Sequence, residues 1–588
     1  MQIKRLDDIS EGNSLRADLV IVGAGPVGLT IARECAQSGR RVIVLESGLE
    51  EEDEDHAKLV EMENIGFLND PKDIEARIAY HQIIPRFWSQ RSQPFGVACR
   101  GFGGSSQAWA GKSAAFDPID LESRPWVPLS DWPLSHDELQ PYLARARARL
   151  NLIDESQPEQ VRTDGVKSFY WQFARSRYEH TDVMRMGREF LCEDPPGIEV
   201  LLDATVTHIA LRPDGRSFEH LSVESIGGKK LKLFADQCVL AANAIENPRL
   251  LLASRDVHRN GIGNMHDTVG RYLMDHPSSI VGAYRGKAAA EPGRVFGFSA
   301  RSRERRAYMY LHGLALNEAT QREEELLNAA LFFIPELSDD DPWEAFKRLA
   351  KLKSPAPLRD LGRTVGGMGM LIRALGTKAL QHPRTPDWVK SLTVNAVMRF
   401  RPNLVATEFA SKGLPKKLDR LAIRVLCEQI PDRESRVTLS DRTDRFGIPL
   451  ARVDWKVSEL ERKTLWRLTQ LARDAVVGMG LPEPELEPWV HTGQYGDAAI
   501  IDMAHPMGTT RISGDPRTGV VDADCRVHGV DNLYLAGGSV FPTAGHTNPT
   551  YMFVAMAIRL SDTLNRVMRS KTPVAPTVEE PEWEKAVA

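Results

Sequence analysis

"DLVIVGAGPVG", residues 18–28, decides how the rest of this chain is read. Leu19 to Val22 form a short apolar run of the kind buried on both faces of a parallel sheet. Gly23, Gly25 and Gly28 then give the G-x-G-x-x-G spacing. The first glycine permits a tight turn, the second lets backbone approach a pyrophosphate, and the third allows close helix–strand packing. Pro26 and Val27 sit in the same turn, where the start of a helix attracts negative charge. The following "LTIARECAQSG" (29–39) has helical apolar spacing and stops at Gly39. A second strand, "RVIVLES" (41–47), places Glu46 eighteen residues beyond Gly28, with Ser47 next to it. A carboxylate there accepts a hydrogen bond from a ribose 2′-hydroxyl and disfavours a 2′-phosphate. These residues predict a Rossmann-like dinucleotide site and leave NAD and FAD both open.

A chain of 588 residues is too long for one simple core, so at least two lobes are expected. With 42% hydrophobic and 26% charged residues the composition is that of a soluble globular protein. The formal charge of −5 gives no reason to expect nucleic acid or another polyanion as partner. Six cysteines lie far apart with no C-x-x-C, which argues against zinc ribbons, iron–sulfur clusters and disulfide frameworks. No metal site is expected, and the pattern suits a reducing compartment. The N-terminal stretch lacks a signal-peptide core, and no window approaches eighteen consecutive apolar residues. The expectation is a cytoplasmic protein without a transmembrane segment.

Three further stretches carry a resemblance: "GFGGSSQAWAGK" (101–112), "CVLAANAIENPRLLLAS" (238–254), and the long block from "MAHPMGTTRISGD" (503–515) through "NLYLAGGSVFPTAGHTNPTYMFVAMAIRLSD" (532–562). With the N-terminal fingerprint, their order resembles the glucose–methanol–choline (GMC) oxidoreductases, which are FAD enzymes, over about residues 15–570. "WVPLSDWPLSHDELQPYLARA" (126–146), "GRYLMDHP" (270–277) and "EQIPDRESRVTLSDRTDRFGIP" (428–449) look like the sugar-oxidising branch, the pyranose oxidases and bacterial sugar dehydrogenases. The resemblance implies an α/β fold, α+β overall. Its Rossmann-like FAD-binding domain would occupy 15–115, 190–285 and 500–570. An interleaved substrate domain with a mainly antiparallel sheet and helices would occupy 116–189 and 286–499, and 571–588 would be a loose tail.

It also implies further cofactor contacts: Gly103, Gly104, Ser105, Ala108 and Trp109; Val206, whose backbone would meet the adenine; Ala242; Gly537 and Gly538; and Asn548, Pro549 and Thr550. Two departures are informative. Pyranose oxidases bind flavin covalently through a histidine at the position held here by Ala108, which has no nucleophile, so non-covalent FAD is expected. Asn243 stands where the family commonly has glycine, and asparagine tolerates positive φ better than most residues.

Oxidising a CH–OH group needs a base for the hydroxyl proton while hydride leaves for the flavin N5, and a neutral imidazole suits that task. The family's "H-x-x-G-T" motif is "HPMGT" here, which makes His505 the base. The family's second position falls on Asn548, implying a His–Asn pair whose amide steadies the substrate oxygen. His546 lies off that position and reads as a residue capping or hydrogen-bonding near the following helix. The expected substrate is a secondary alcohol of a sugar or glycoside, with a non-sugar alcohol, or a lyase of the same fold, as alternatives. Oxygen, a quinone or a redox protein are all open as electron acceptor. Trp88, Trp109, Trp171 and Trp489 read as core, with stacking against a sugar ring as the alternative. Residues 351–420 carry fourteen Lys and Arg against four Asp and Glu and read as a solvated insertion, with an amphipathic basic helix serving as a lid, a dock for an acidic electron-accepting protein or a surface for anionic lipid as alternatives.

Overall fold

In the computed structural model the strand Ser14–Val22 runs directly into the glycine turn and the helix Pro26–Ala36. The structure describes residues 1–570 except 10–13, 37–39, 82–85, 155–156, 164, 180–182, 304–305, 338–341, 351–355, 368–375, 377–378, 380–381, 383 and 401–417. The expected tail, 571–588, lies outside the described residues. Gly23 has a φ of +102°, and a Cβ there would lie 2.7 Å from the Ala241 carbonyl oxygen. A Cβ on Gly28 would lie 1.9 Å from the carbonyl oxygen of Gly23, so the helix can sit this close to the strand only without a side chain. Gly28→Ala is expected to cost about 1–3 kcal/mol of stability; a denaturant midpoint checks it.

The first sheet has the strand order Gln2–Arg5, Ile198–Leu202, Val42–Leu45, Ser14–Val22, Lys230–Leu240, Phe218–Glu224, Thr205–Leu211, with Leu533–Leu535 also paired to Lys230–Leu240. All its pairings are parallel except the two along the hairpins at the Thr205–Leu211 edge. Val22, Leu45, Leu240 and Leu535 therefore end their strands on one edge, the carboxyl edge at which open α/β sheets bind ligands. Pro26–Ala36 packs on the long helix Thr550–Ser570, which packs in turn on His136–Arg149. These helices are amphipathic because apolar residues recur at helical spacing, and the face they bury joins the sheet in one core.

The second sheet is antiparallel throughout: Glu485–Leu486, Ser278–Arg285, Leu418–Cys427, Ala329–Leu337, Arg306–Leu316, Val166–Phe173 and Lys112–Ser113, with Phe298–Arg303 on Arg306–Leu316. The helix Glu459–Gly478 begins with a Ser458–Glu461 capping box and buries Leu465, Leu468, Ala472 and Val476 against this sheet's core. Ser278–Arg285, read from sequence as part of the first lobe, belongs here: its partners, Leu418–Cys427 and Glu485–Leu486, are too distant in the chain for a local pattern to reveal. The fold class expected from sequence is the one observed, a mixed Rossmann-like sheet with an interleaved antiparallel one.

In its described parts the basic stretch carries the amphipathic helices held as an alternative to a solvated insertion. On the helix Pro357–Gly366, Leu358, Leu361 and Val365 are more than half exposed, and so are Trp388, Leu392 and Phe400 on Asp387–Phe400. These faces are apolar rather than a purely charged, solvated surface. The rest of 351–420 lies partly outside the described residues.

Candidate active site

A cavity of about 360 Å³ runs along the carboxyl edge of the first sheet, within the usual size of cofactor and ligand sites. One end is lined by Glu46, Ser47 and Val206, the middle by Gly23, Gly25, Pro26, Val27, Gly104 and Ser105, and the far end by His505 and Asn548. Ala108, Trp109, Ala242, Gly537, Gly538 and Thr550 line it too. Three expected residues lie behind its wall. Gly28 packs under the turn. Gly103, at φ +106°, donates its N–H to the Ala24 carbonyl at 2.9 Å. The Pro549 carbonyl accepts from the Phe553 N–H in the first turn of its helix.

The middle of the cavity fits a pyrophosphate. The helix Pro26–Ala36 opens on it with no acidic residue in its first turn, so nothing opposes an anion at the positive end of the helix. Two glycine turns face one another there: a Cβ on Gly104 would lie 2.9 Å from the Gly25 Cα. Glu46 is committed more heavily than sequence reading allowed. Its carboxylate accepts from the N–H groups of Ala24 at 3.0 Å, Gly48 at 2.9 Å and Gly101 at 3.1 Å. The Ser47 hydroxyl adds a long bond of 3.5 Å to Oε1, whereas among the described residues Oε2 accepts only from Ala24 and keeps a position for a ribose hydroxyl. Asn243 has φ +74° and caps the next helix, its Oδ1 accepting from the Ile245 and Glu246 N–H groups; the tolerance expected of asparagine is used.

At the far end, Asn548 Nδ2 lies 3.2 Å from His505 Nε2. His505 Nδ1 lies 2.9 Å from Nδ1 of His276, whose Nε2 lies 3.3 Å from the Ala544 carbonyl oxygen. The network assigns the protons. A carbonyl oxygen only accepts, so His276 carries its hydrogen on Nε2 and accepts at Nδ1. His505 therefore donates from Nδ1 and leaves a lone pair on Nε2, where the Asn548 amide donates to it. Burial, the neighbouring His276 and the charge of Lys112 hold His505 well below the ordinary histidine range. Burial likewise brings His276 down to about 4. Both rings are neutral near pH 7.

Two buried carboxylates fix the loop that carries His505. Asp275 accepts from the N–H groups of His276 at 2.6 Å and Met503 at 2.8 Å on one oxygen, and of His505 at 2.7 Å on the other. Burial and the nearby Asp502 push Asp275 up to about 8, against the pull of those three bonds. Asp502 is held by Arg77, with Nε to Oδ1 at 2.5 Å, and by the Gly96 N–H at 3.0 Å. Burial pushes Asp502 up, but Arg77 and His81 overcome it and leave the group well below the usual carboxylate range.

Among the described residues His546 neither caps the helix nor hydrogen-bonds. It is fully buried, its nearest polar contact is Asp120 Oδ2 at 3.7 Å, and neither ring nitrogen has a hydrogen-bond partner among the described residues. The loop Ala544–Asn548 turns its ring inward against Phe169, away from the cavity. Trp171 and Trp489 are buried in the antiparallel lobe, as expected of core residues. Sequence reading missed Asp275, His276 and Lys112, although "GRYLMDHP" carried the first two and "GFGGSSQAWAGK" ends on the third. What was missing was the fold that brings 275–276 beside 503–505.

Known proteins resemble this chain in sequence and fold. Residues 431–557 match the family GMC oxidoreductase, as its C-terminal domain. The fructose dehydrogenase large subunit of Gluconobacter japonicus is 23% identical over 94% of this chain and 98% of its own. The 2-methyl-1,2-propanediol dehydrogenase of Mycolicibacterium austroafricanum is 24% identical over 94% and 95%. A structure of Aspergillus oryzae RIB40 formate oxidase, from work on FAD modification, superimposes with a TM-score of 0.52 at 17% identity, over 95% of this chain and 100% of that one.

Proposed function

We propose, from the premise that this chain is an oxidoreductase of the GMC type, that it binds FAD and oxidises a CH–OH group of a sugar or glycoside to a carbonyl. The observation that carries this reading is the unprotonated Nε2 of His505, which accepts from the Asn548 amide and lines the same cavity as the glycine turns and Glu46. FAD would lie along the glycine turns, Glu46 and Gly537–Gly538, and when bound it supplies the hydride acceptor. His505 Nε2 takes the hydroxyl proton of the substrate. The Asn548 amide, released from the imidazole, donates to the substrate oxygen as it gains negative charge. Asp275 and the His276–Ala544 link keep the imidazole in the right tautomer and place. Fructose dehydrogenase among the relatives favours a sugar, and the propanediol dehydrogenase keeps a non-sugar alcohol in the test.

The test is anaerobic. The purified yellow protein is mixed with free sugars, glycosides and non-sugar alcohols while the flavin band near ~450 nm is followed. Bleaching by sugars or glycosides is the expected result. Bleaching by non-sugar alcohols alone overturns the substrate class, and flavin that none of them bleaches overturns the oxidation in favour of a lyase. Readmitting air then separates oxygen from a quinone or redox protein as acceptor.

The flavin is held without a covalent bond. Ala108 lines the cavity with no nucleophile, and burial raises the Cys99 thiol, also in the lining, well above its ordinary value. Acid precipitation is expected to leave the flavin in the supernatant; a yellow pellet overturns this.

A further inference from the structure

The cavity end that holds His505 and Asn548 also holds a lysine that the proton-transfer chemistry does not use. Lys112 opens the short strand Lys112–Ser113 of the antiparallel sheet and lines the same cavity. Its Nζ lies 3.6 Å from the ring centroid of Phe332 and 4.4 Å from that of Trp171. Both rings are buried, so they wall the amine in from below and leave the cavity as its other surrounding. Among the described residues no carboxylate contributes to its surroundings and no hydrogen bond to its Nζ is found; the one charge that reaches it is Arg424. Arg424 stands opposite Phe332 in the sheet, with its guanidinium over the Tyr80 ring at 4.5 Å. It donates to Ser278 Oγ at 3.2 Å, and its buried Nε has no partner among the described residues.

This corner therefore gathers two cationic side chains with little to match them: Glu336 reaches Arg424 but is paired with Arg420, and burial, with Arg424 close by, brings Lys112 down to about 7, so an anion bound there would also hold it charged. The nearest carboxylates behind His505 are spoken for: Asp502 by Arg77, Asp275 by three backbone N–H groups. A buried charge needs a counter-charge, and aromatic faces compensate an ammonium only in part. Hydroxyl groups of a neutral sugar would solvate Lys112 without balancing the corner. An anionic oxygen group would do both, through charge-assisted hydrogen bonds from the ammonium.

We propose that Lys112 anchors an anionic oxygen group of the substrate, a carboxylate in the first instance, so that the alcohol presented to His505 belongs to an acidic sugar or hydroxy acid. This rests on the oxidation proposed above and narrows its substrate.

The experiment uses the full-length, flavin-loaded protein and matched pairs, D-glucuronate with D-glucose, D-galacturonate with D-galactose and D-gluconate with D-sorbitol. Calorimetric titration gives the affinities, and anaerobic bleaching is read in parallel. Loss of a hydrogen bond to a charged group corresponds to a change of about 10- to 100-fold, so the wild type should bind the acid of at least one pair tighter than its neutral partner by that factor. In Lys112→Met the preference should collapse, and Lys112→Arg, which keeps the charge, should retain most of it. No acid preference in any wild-type pair overturns the proposal whether or not the variants fold, as does a preference unchanged in a folded Lys112→Met. Bleaching by neutral sugars without acid preference overturns the anchor and leaves the oxidation standing. Tight acid binding that Lys112→Met abolishes, with no bleaching by any compound, leaves the anchor standing and overturns the oxidation.

Discussion

Replacing His505 with glutamine lowers the first-order rate of substrate-dependent flavin bleaching by about 10²- to 10⁴-fold, with flavin still bound. Glutamine can occupy the same corner and hydrogen-bond to the Asn548 amide, but it cannot take a proton at neutral pH. The loss falls on the rate constant at saturating substrate rather than on affinity, because the proton moves only as the carbon is oxidised. Stopped-flow bleaching across a substrate series separates the two. The same site fixes a pH expectation. His505 sits well below the ordinary histidine value, so it stays unprotonated and competent as a base as pH falls through about 6.5. The rate should hold across that interval and fall only at lower pH. A wild-type acid limb centred on the ordinary value would mean that His505 titrates as an exposed histidine, and that the network with His276 does not hold in solution.

Arg77→Met should be among the most destabilising single substitutions, at roughly 3–5 kcal/mol. Arg77 and Asp502 are both completely buried. Besides Asp502, the guanidinium donates to Gln90 Oε1 at 2.6 Å and to the Gln93 and Gly96 carbonyls, each at 2.7 Å. Methionine fills much of the volume, and it strands a carboxylate beside Asp275 and three acceptors without donors. The sign of the pH dependence follows from the direction of the Asp502 shift. A carboxyl depressed in the folded state contributes stability above its unfolded value of about 3.9, and that contribution is lost as pH falls through the lower folded value. The gap between wild type and Arg77→Met in denaturant midpoint should be widest near neutral pH and should narrow below about pH 4. A gap that is constant with pH would assign the loss to packing alone. Because Asp502 precedes the loop 503–505 by one residue, flavin bleaching by the folded fraction of the variant should also slow.

Short-range pattern carried a large share of this molecule. The glycine spacing after an apolar strand, with an acid eighteen residues on, suffices to place a dinucleotide turn, since each residue there answers to local backbone geometry. Asn243 was legible for the same reason, as its φ is a property of one residue. His505 and Asn548 became legible through a motif and a count, and the structure sets their side chains 3.2 Å apart. The relay behind them was not legible, since a histidine at 276 acquires meaning only when the chain returns beside it some 230 residues later. Glu46 shows the same limit from the other side. Its identity was readable, but its three backbone donors come from separate loops, and one of them is Gly101. His546 was expected to bond near its helix, yet the inward turn of 544–548 buries it with no hydrogen-bond partner among the described residues.

The pairing of Leu533–Leu535 with Lys230–Leu240 has a consequence for synthesis. The two partners are separated by nearly three hundred residues, or roughly 15–60 s of translation at about 5–20 residues per second. During that interval the nascent chain has its glycine turn, yet it presents Cys238, Val239 and Leu240 as an unpaired strand edge. It also lacks the floor that Gly537 and Gly538 later give the cavity. A ribosome that has reached residue 500 has built neither His505 nor Asn548. Closing the cavity therefore waits on segments that emerge after residue 500, and until Leu533–Leu535 pairs, the edge at Cys238–Leu240 is one to which another strand can add.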